Sequence, residues 1–470
     1  MSTVSPAVKH AVEKAKPAKV TYFLFILKSL LFHGYFVPTT LLLLPFVILR
    51  CMIPYGPGRY KKWTVMETVG VYLTRRAIRN MCRFGMQPIP PREHGWRESN
   101  NMLGAFLSLL NNSGPGGIVA MPSAEIHQVE EMVKRGRHDR DWFNPPPLEA
   151  FKGILSIKTS PEDMVTDSAM YNGPALVEPK WAKTRIRGLW FMKDAKSHAP
   201  KPGPAGSQKQ PVLLYFHGGA GVTFSAGDPF MGQTLAKSIS QIGKMDMFSV
   251  DYNLAPFAPY PVTIVQALAG YLHLINHYGY HPSQIFIGGD SYGAWLTMQL
   301  EHYLRTDGKH ITEALSHKSS YPSGVAGLYL LSPWLYVYDT KKPSRSYGGN
   351  GMKYDIVVLE FPAWGVSAMK VGPKYHKRCP LPLDSPWLSP GCMPKEGLSQ
   401  LPPVFMMLGG IEALYDEDME FAHHLEEAGT ELELIVDPDA THDIGTMATF
   451  SRRFRTICEE SEKWFARKSL

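Results

Sequence analysis

The sequence predicts an α/β fold: a mostly parallel central sheet flanked by helices, with a helical cap and an N-terminal membrane anchor. Three observations predict it. Short apolar runs alternate with helical stretches from residue 184 onward, a serine bracketed by glycines sits where one run turns into a helix, and residues 29 to 49 contain no Asp, Glu, Lys or Arg. Alternation of strand-like and helix-like segments is the pattern of βαβ units and a parallel sheet. The expected strands are Thr184 to Met192, Val212 to Phe216, Met247 to Asp251, Ile285 to Gly288, Val325 to Leu331, Val404 to Leu408 and Glu431 to Val436.

The bracketed serine is Gly289-Asp290-Ser291-Tyr292-Gly293, after Gln284-Ile285-Phe286-Ile287-Gly288 and before Ala294-Trp295-Leu296-Thr297-Met298. Glycines two before and two after a serine leave room for a strained strand-to-helix turn. Such a turn lifts the hydroxyl above the sheet and sets the Tyr292 amide beside it. A serine held this way attacks acyl carbons. The bare pattern also arises by accident in Gly-rich turns, so its context decides.

Upstream, the strand Pro211 to Phe216 runs into His217-Gly218-Gly219-Ala220-Gly221, where small residues let backbone amides converge on one point. That is the composition of an oxyanion hole, with Gly219, Ala220 and Tyr292 as donors and Gly218 shaping the turn. Downstream, the strand ending at Val436 is followed by Asp437-Pro438-Asp439-Ala440-Thr441-His442. Among seventeen histidines, His442 alone follows the last expected strand, where the order serine, acid, histidine requires the general base. Two carboxylates compete for the acid. Glu412 stands just past the strand Val404 to Leu408, and Asp416 lies one helical turn later, where a helix dipole favours a carboxylate. Glu412 is the preferred acid and Asp416 the alternative.

With these residues in view, the chain resembles the hormone-sensitive-lipase-like α/β-hydrolases over roughly residues 185 to 465. The resemblance rests on His217-Gly218-Gly219, Asp251-Tyr252-Asn253-Leu254-Ala255-Pro256 with Tyr260-Pro261, the elbow from Gly289 to Gly293, and Leu401-Pro402-Pro403 leading into Glu412, Leu414 and Asp416. It is most similar to membrane-anchored fungal steryl acetyl hydrolases and arylacetamide deacetylases. The resemblance implies removal of acetyl or other short acyl groups from bulky apolar alcohols or amides, by a serine carboxylic-ester hydrolase using Ser291, His442 and Glu412. The sequence departs from the family pattern in three places: Ala220 replaces a glycine, Tyr292 replaces an alanine, and Glu412 stands where most members carry aspartate. The first two keep the amides and alter pocket shape. The third leaves the acid open between Glu412 and Asp416.

The 470 residues are 44% hydrophobic and 19% charged, enough for one α/β core of about 280 residues plus further segments. Five cysteines are too few for a disulfide framework, although Cys379 and Cys392 are able to pair in an oxidising lumen. No Cys/His cluster has zinc spacing and no Gly-rich phosphate loop is present, so the expected chemistry uses no cofactor and no metal.

The N-terminus adds the membrane. A 1–20 tail precedes the anchor at 21–50, whose uncharged stretch is long enough for roughly one bilayer crossing. Pro38 and Pro45 each remove a helix hydrogen bond, which kinks the segment or lays it partly in the interface. The expectation is a single-pass anchor, and the family resemblance points to the endoplasmic reticulum with a lumenal catalytic domain. Counting Lys and Arg on either side of the segment gives a tie for orientation. Residues 59 to 83 carry seven basic residues against Glu67 alone, most of the chain's +7 excess. Val65, Val69, Leu73, Ala77 and Met81 recur every four residues opposite Arg75, Arg79 and Arg83, which reads as an amphipathic helix over 65–83 lying on anionic lipid. Nucleic acid is not the expected partner because the basic run adjoins an apolar anchor.

Residues 51–150 are expected to hold this helix and lid elements. Residues 151–470 form the catalytic domain, with a cap insertion at about 335–400 rich in Tyr, Trp and Pro. There Trp334, Tyr336, Tyr338, Phe361, Trp364 and Trp387 line an apolar pocket or pack the cap itself. Asn111-Asn112-Ser113 is a glycosylation sequon. The expected substrate is a small apolar, membrane-dissolved ester, with acylglycerols and acylated secondary metabolites beside steryl acetates. The rival of another class is a non-catalytic small-molecule receptor on a hydrolase fold; such receptors usually lose a triad member.

Overall fold

The computed structural model describes residues 4–15, 22–53, 59–85, 140–160, 163–165, 168, 170–194, 197–227, 232–308, 324–337, 350–369, 381–447 and 451–469. The sequon, Tyr338, Cys379 and most of the expected lid segment lie outside them. Among the described residues Cys51, Cys82, Cys392 and Cys458 are free thiols.

Eight strands form one sheet: β1 (Arg140–Phe143), β2 (Ile186–Phe191), β3 (Val212–Phe216), β4 (Met247–Asp251), β5 (Ile285–Asp290), β6 (Gly327–Leu331), β7 (Val404–Gly409) and β8 (Leu432–Asp437). Their spatial order is β1-β2-β4-β3-β5-β6-β7-β8. From β4 to β8 all neighbours are parallel, while β1 and β2 join at one edge antiparallel. Every residue of β3 to β7 is buried, because helices cover both faces of a parallel sheet and its strands read as continuous apolar runs. The seven expected strands are therefore all present. The eighth, β1, falls in the stretch expected to hold only lid elements. Its four residues Arg-Asp-Trp-Phe make an antiparallel edge too short to show a period.

The helices are α1 (Pro6–Lys14), α2 (Tyr22–Met52), α3 (Val65–Phe84), α4 (Gly232–Ile242), α5 (Val262–Asn276), α6 (Tyr292–Asp307), α7 (Asn350–Tyr354), α8 (Glu360–Met369), α9 (Lys395–Leu398), α10 (Tyr415–Ala428) and α11 (Arg453–Lys468). Helices α4, α5, α6 and α10 are crossovers between parallel strands. Trp464 of α11 packs in a cluster with Phe286, Tyr329 and Phe405, and Gly327 makes room for it: a Cβ there would lie 2.7 Å from the indole. At the other edge Arg187 and Asp251 form a buried ion pair between β2 and β4, and Asp251 also accepts the Ala226 amide.

Helix α3 departs from the expected amphipathic pattern. Of the expected apolar stripe only Val69 is buried; the buried positions are Glu67, Thr68, Val69, Gly70, Val71, Thr74, Ile78 and Asn80. The helix is covered on two sides, by α2 and by the catalytic domain, so a stripe counted for one apolar face misreads it. Its basic residues are also divided. Arg75 donates to the Asp355 carbonyl and Arg76 to Thr39 and Thr40 of α2, whereas Arg79 and Arg83 are exposed. Glu67 is satisfied by the Thr64 capping box, Ser451 and Arg453, which fastens α3 to the domain.

Candidate active site

The strand-to-helix turn at the end of β5 places Ser291 at φ 52°, ψ −113°, a left-handed backbone that a non-glycine residue adopts only at a cost. Both bracketing glycines are required by contact. A Cβ on Gly293 would meet the Phe216 carbonyl at 1.8 Å, and one on Gly289 would meet the Gly293 carbonyl carbon at 2.4 Å. The turn is pinned by the Ser291 amide donating to Leu331 O and the Trp334 amide donating to Ser291 O.

From there the three expected side chains meet. Ser291 Oγ lies 2.9 Å from His442 Nε2, and His442 Nδ1 lies 3.0 Å from Glu412 Oε2. Glu412 is 1% exposed, and its other oxygen accepts the Gly409 amide at 3.0 Å. Asp416 is exposed in the first turn of α10. With Nδ1–H donating to Glu412, Nε2 is left to accept from the serine hydroxyl.

The loop after β3 lies beside this chain. Gly219, Ala220 and Gly221 all have positive φ, and among the described residues the amides of Gly219, Ala220 and Tyr292 donate to no protein acceptor. The Gly218 amide differs from the others. It donates to Asp290 Oδ2 at 2.9 Å, so Gly218 holds the loop rather than offering an N–H. The Tyr292 ring points inward: it stacks on Trp295, touches the space beside Gly221, and its hydroxyl lies 3.0 Å from Thr263. His217 is buried, stacked on Tyr252, and held below the ordinary histidine range by burial.

A sequence profile of the alpha/beta hydrolase fold matches residues 213–446. The carboxylic ester hydrolase LipN of Mycobacterium tuberculosis is 27% identical over 250 residues, 51% of this chain and 58% of that protein. An esterase of Acinetobacter venetianus is 29% identical over 217 residues, covering 46% of this chain and 62% of its own. An ethyl acetate hydrolase of Pseudomonas putida is 26% identical over 257 residues, 54% of this chain and 69% of its own. The chain thus spans about three fifths of the first two relatives. Among solved structures, a hyperthermophilic esterase from the archaeon Pyrobaculum calidifontis superposes with a TM-score of 0.51 at 17% identity, over 80% of this chain and 93% of that one. The chain belongs to the α/β-hydrolase fold.

Three further carboxylates of this hydrolase surround the histidine, and sequence reasoning missed them. Asp443 Oδ2 lies 3.3 Å from His442 Nε2, on the serine side of the ring. Burial disfavours the imidazolium, but Asp443 and Glu412 outweigh it and hold His442 well above the ordinary histidine range. Asp290 accepts from the Tyr215 hydroxyl and the Gly218 amide, and burial with Asp443 nearby raises its pKa strongly. Asp355 reaches in from between α7 and α8. Its carboxylate accepts the backbone amides of His442, Ala413 and Ile356, and burial pushes its pKa to about 6. Adjacency to Ser291 and His442 was the only signal for Asp290 and Asp443. Asp355 had none.

Helix α8 packs directly on the loop after β3. A Cβ on Gly365 of α8 would lie 2.7 Å from Ala220 O and 3.2 Å from the Trp334 ring. Trp334, Tyr336, Phe361 and Trp387 are buried, and Trp364 is half-buried against the core.

Proposed function

We propose that this hydrolase is a serine carboxylic-ester hydrolase acting on apolar, membrane-dissolved esters, of which steryl acetates are representative. The observation that carries the reading is the continuous hydrogen-bond chain from Glu412 through His442 to Ser291, at 3.0 and 2.9 Å. Ser291 attacks the ester carbonyl while His442 takes its proton, and Glu412 keeps the ring in the tautomer that leaves Nε2 basic. The developing oxyanion takes N–H groups from Gly219, Ala220 and Tyr292; one such donor is worth roughly 3 to 4 kcal/mol. His442 then protonates the departing alcohol, leaving Ser291 acylated. Water, deprotonated by the same imidazole, releases the acid and restores the serine. Asp443 sits where it accepts from Nε2–H once the proton has moved, which favours the imidazolium formed during attack.

Two features support the substrate class. One relative bears the name ethyl acetate hydrolase, a short-acyl substrate. The cap beside Ala220 is built of Trp334, Phe361 and Trp364, an apolar wall suited to a bulky alcohol. Helix α2, apolar over Leu27–Met52 with a mean hydropathy of 1.8, is the membrane anchor that brings such esters within reach. The test is turnover of matched short-acyl and long-acyl chromogenic esters by the purified full chain, with Ser291→Ala as control. Faster short-acyl turnover abolished by Ser291→Ala is expected; turnover that survives the substitution refutes the assignment.

A further inference from the structure

Both flanks of α2 rest on the same body. Before it, the carbonyls of Glu13 and Ala15 accept from Lys183 Nζ, and Val12 is buried against the catalytic domain. After it, Trp63 donates to Asp439 O at 2.7 Å and Tyr60 to the Asp439 carboxylate. Between these flanks α2 runs antiparallel along α3. Lys28 Nζ donates to Gly85 O at one end, Arg76 reaches Thr39 and Thr40 in the middle, and Arg59 donates to Cys51 O at the other. A helix that crosses a bilayer must leave its two ends on opposite sides. This one cannot do so without drawing α3, with its four arginines, into hydrocarbon, where charged side chains are strongly disfavoured.

The outer face of α2 is apolar and open: Leu30, Leu31, Leu41, Leu42, Phe46 and Leu49 are all more than half exposed, Leu42 and Phe46 at 71%. Its inner face and α3 enclose a cavity of about 420 Å³. Six arginines (Arg50, Arg59, Arg75, Arg76, Arg79 and Arg83) and Lys353 line it, with Tyr35, Trp63, Tyr72 and Tyr354, and no lining residue is acidic. Asp355 and Glu360 are the carboxylates that act on Arg75 from the neighbouring elements. Arg59 and Arg76 are oriented by neutral oxygens, and Arg83 lies over the Tyr35 ring. Arg59, Arg76, Arg79 and Arg83 repel one another less when an anion sits among them, and their planar forks match phosphate oxygens. Aromatic side chains at the level of basic ones are the composition of a headgroup-depth surface.

We propose that α2 lies along one leaflet instead of crossing it, and that the α2–α3 cavity binds the phosphate headgroup of an anionic lipid drawn from that leaflet. The arrangement rests on the membrane-anchor reading above. The apolar face of α2 enters the acyl region, and the arginine cavity, on its protein side, meets the phosphates.

The full chain is tested by flotation on phosphatidylcholine vesicles with and without phosphatidate, against the double variant Arg79→Gln/Arg83→Gln, whose melting temperature reports folding. On neutral vesicles both proteins should float alike through α2. Phosphatidate should tighten wild-type binding, and the variant should lose about thirtyfold of that affinity, the effect of two charges beside an anionic surface. Inorganic phosphate that competes fully with the vesicles would reassign the cavity to a free anion and overturn the lipid source. Equal response of both proteins to phosphatidate overturns the site while leaving the anchor standing. Failure of wild type to float on neutral vesicles removes the anchor reading itself. In sealed vesicles, an impermeant thiol reagent should shift His10→Cys and Lys61→Cys from the same side, over the wild-type background. Labelling from opposite sides restores a crossing helix.

Discussion

Replacing Asp443 by Asn tests how the histidine is held. Asp443 Oδ2 stands 3.3 Å from His442 Nε2. At an effective dielectric of about 20, a full charge at that distance favours the imidazolium by about 5 kcal/mol before neighbouring charges act on it. Asp443 and Glu412 together hold His442 above the ordinary histidine range, so a fall of the His442 pKa is expected on substitution. Two opposite effects on turnover follow. Wild-type His442 stays protonated to a higher pH than an ordinary histidine, so kcat/KM rises along a limb lying above about pH 6.5. In Asp443→Asn that limb moves to lower pH, while the plateau falls about tenfold because the imidazolium formed during attack loses its partner. The stability sign agrees. A raised folded-state pKa stabilises below the unfolded value of about 6.5, and this contribution is lost as pH rises through the folded value, so the substitution should flatten that fall. The assay is kcat/KM for a soluble ester from about pH 5 to about pH 9, beside melting temperature over the same range. A limb that stays in place in Asp443→Asn refutes the reasoning.

Ser291→Ala and His442→Ala should each remove nearly all esterase activity, with the double variant scarcely worse; additive losses would show that the two do not act as a unit. Glu412→Gln should lower kcat far more than Asp416→Asn, since only Glu412 is bonded to the imidazole, and the reverse order in steady-state kinetics would move the acid to Asp416. In Asp355→Asn one amide oxygen replaces a carboxylate on which three backbone N–H groups converge. A loss of about 1 to 3 kcal/mol in chemical denaturation and a fall in kcat are expected, and unchanged stability would show those bonds to be dispensable.

Much of this protein was written locally. A strand buried on both faces must be a continuous apolar run, so the cores of β3 to β7 were legible, β8 was legible by its alternation, and Ser291 was legible between two glycines that only a close strand–helix crossing requires. His442 was legible because chain order assigns the base to the loop after the last strand. Tertiary structure decided what depends on separation in space. Glu412 and Asp416 are four residues apart and both carboxylates, and only the turn after β7 aims one at the imidazole. Asp355, distant in sequence, reaches the histidine loop because α7 and α8 fold over it. The apolar stripe of α3 misled because periodicity assumes one dry face and one wet face, and this helix is covered on two sides. Likewise the length and composition of α2 fit a bilayer crossing, but hydropathy measures only how apolar a segment is. It says nothing of what the flanking segments touch, and the bonds of Lys183 to Glu13 and of Trp63 to Asp439 appear only in three dimensions.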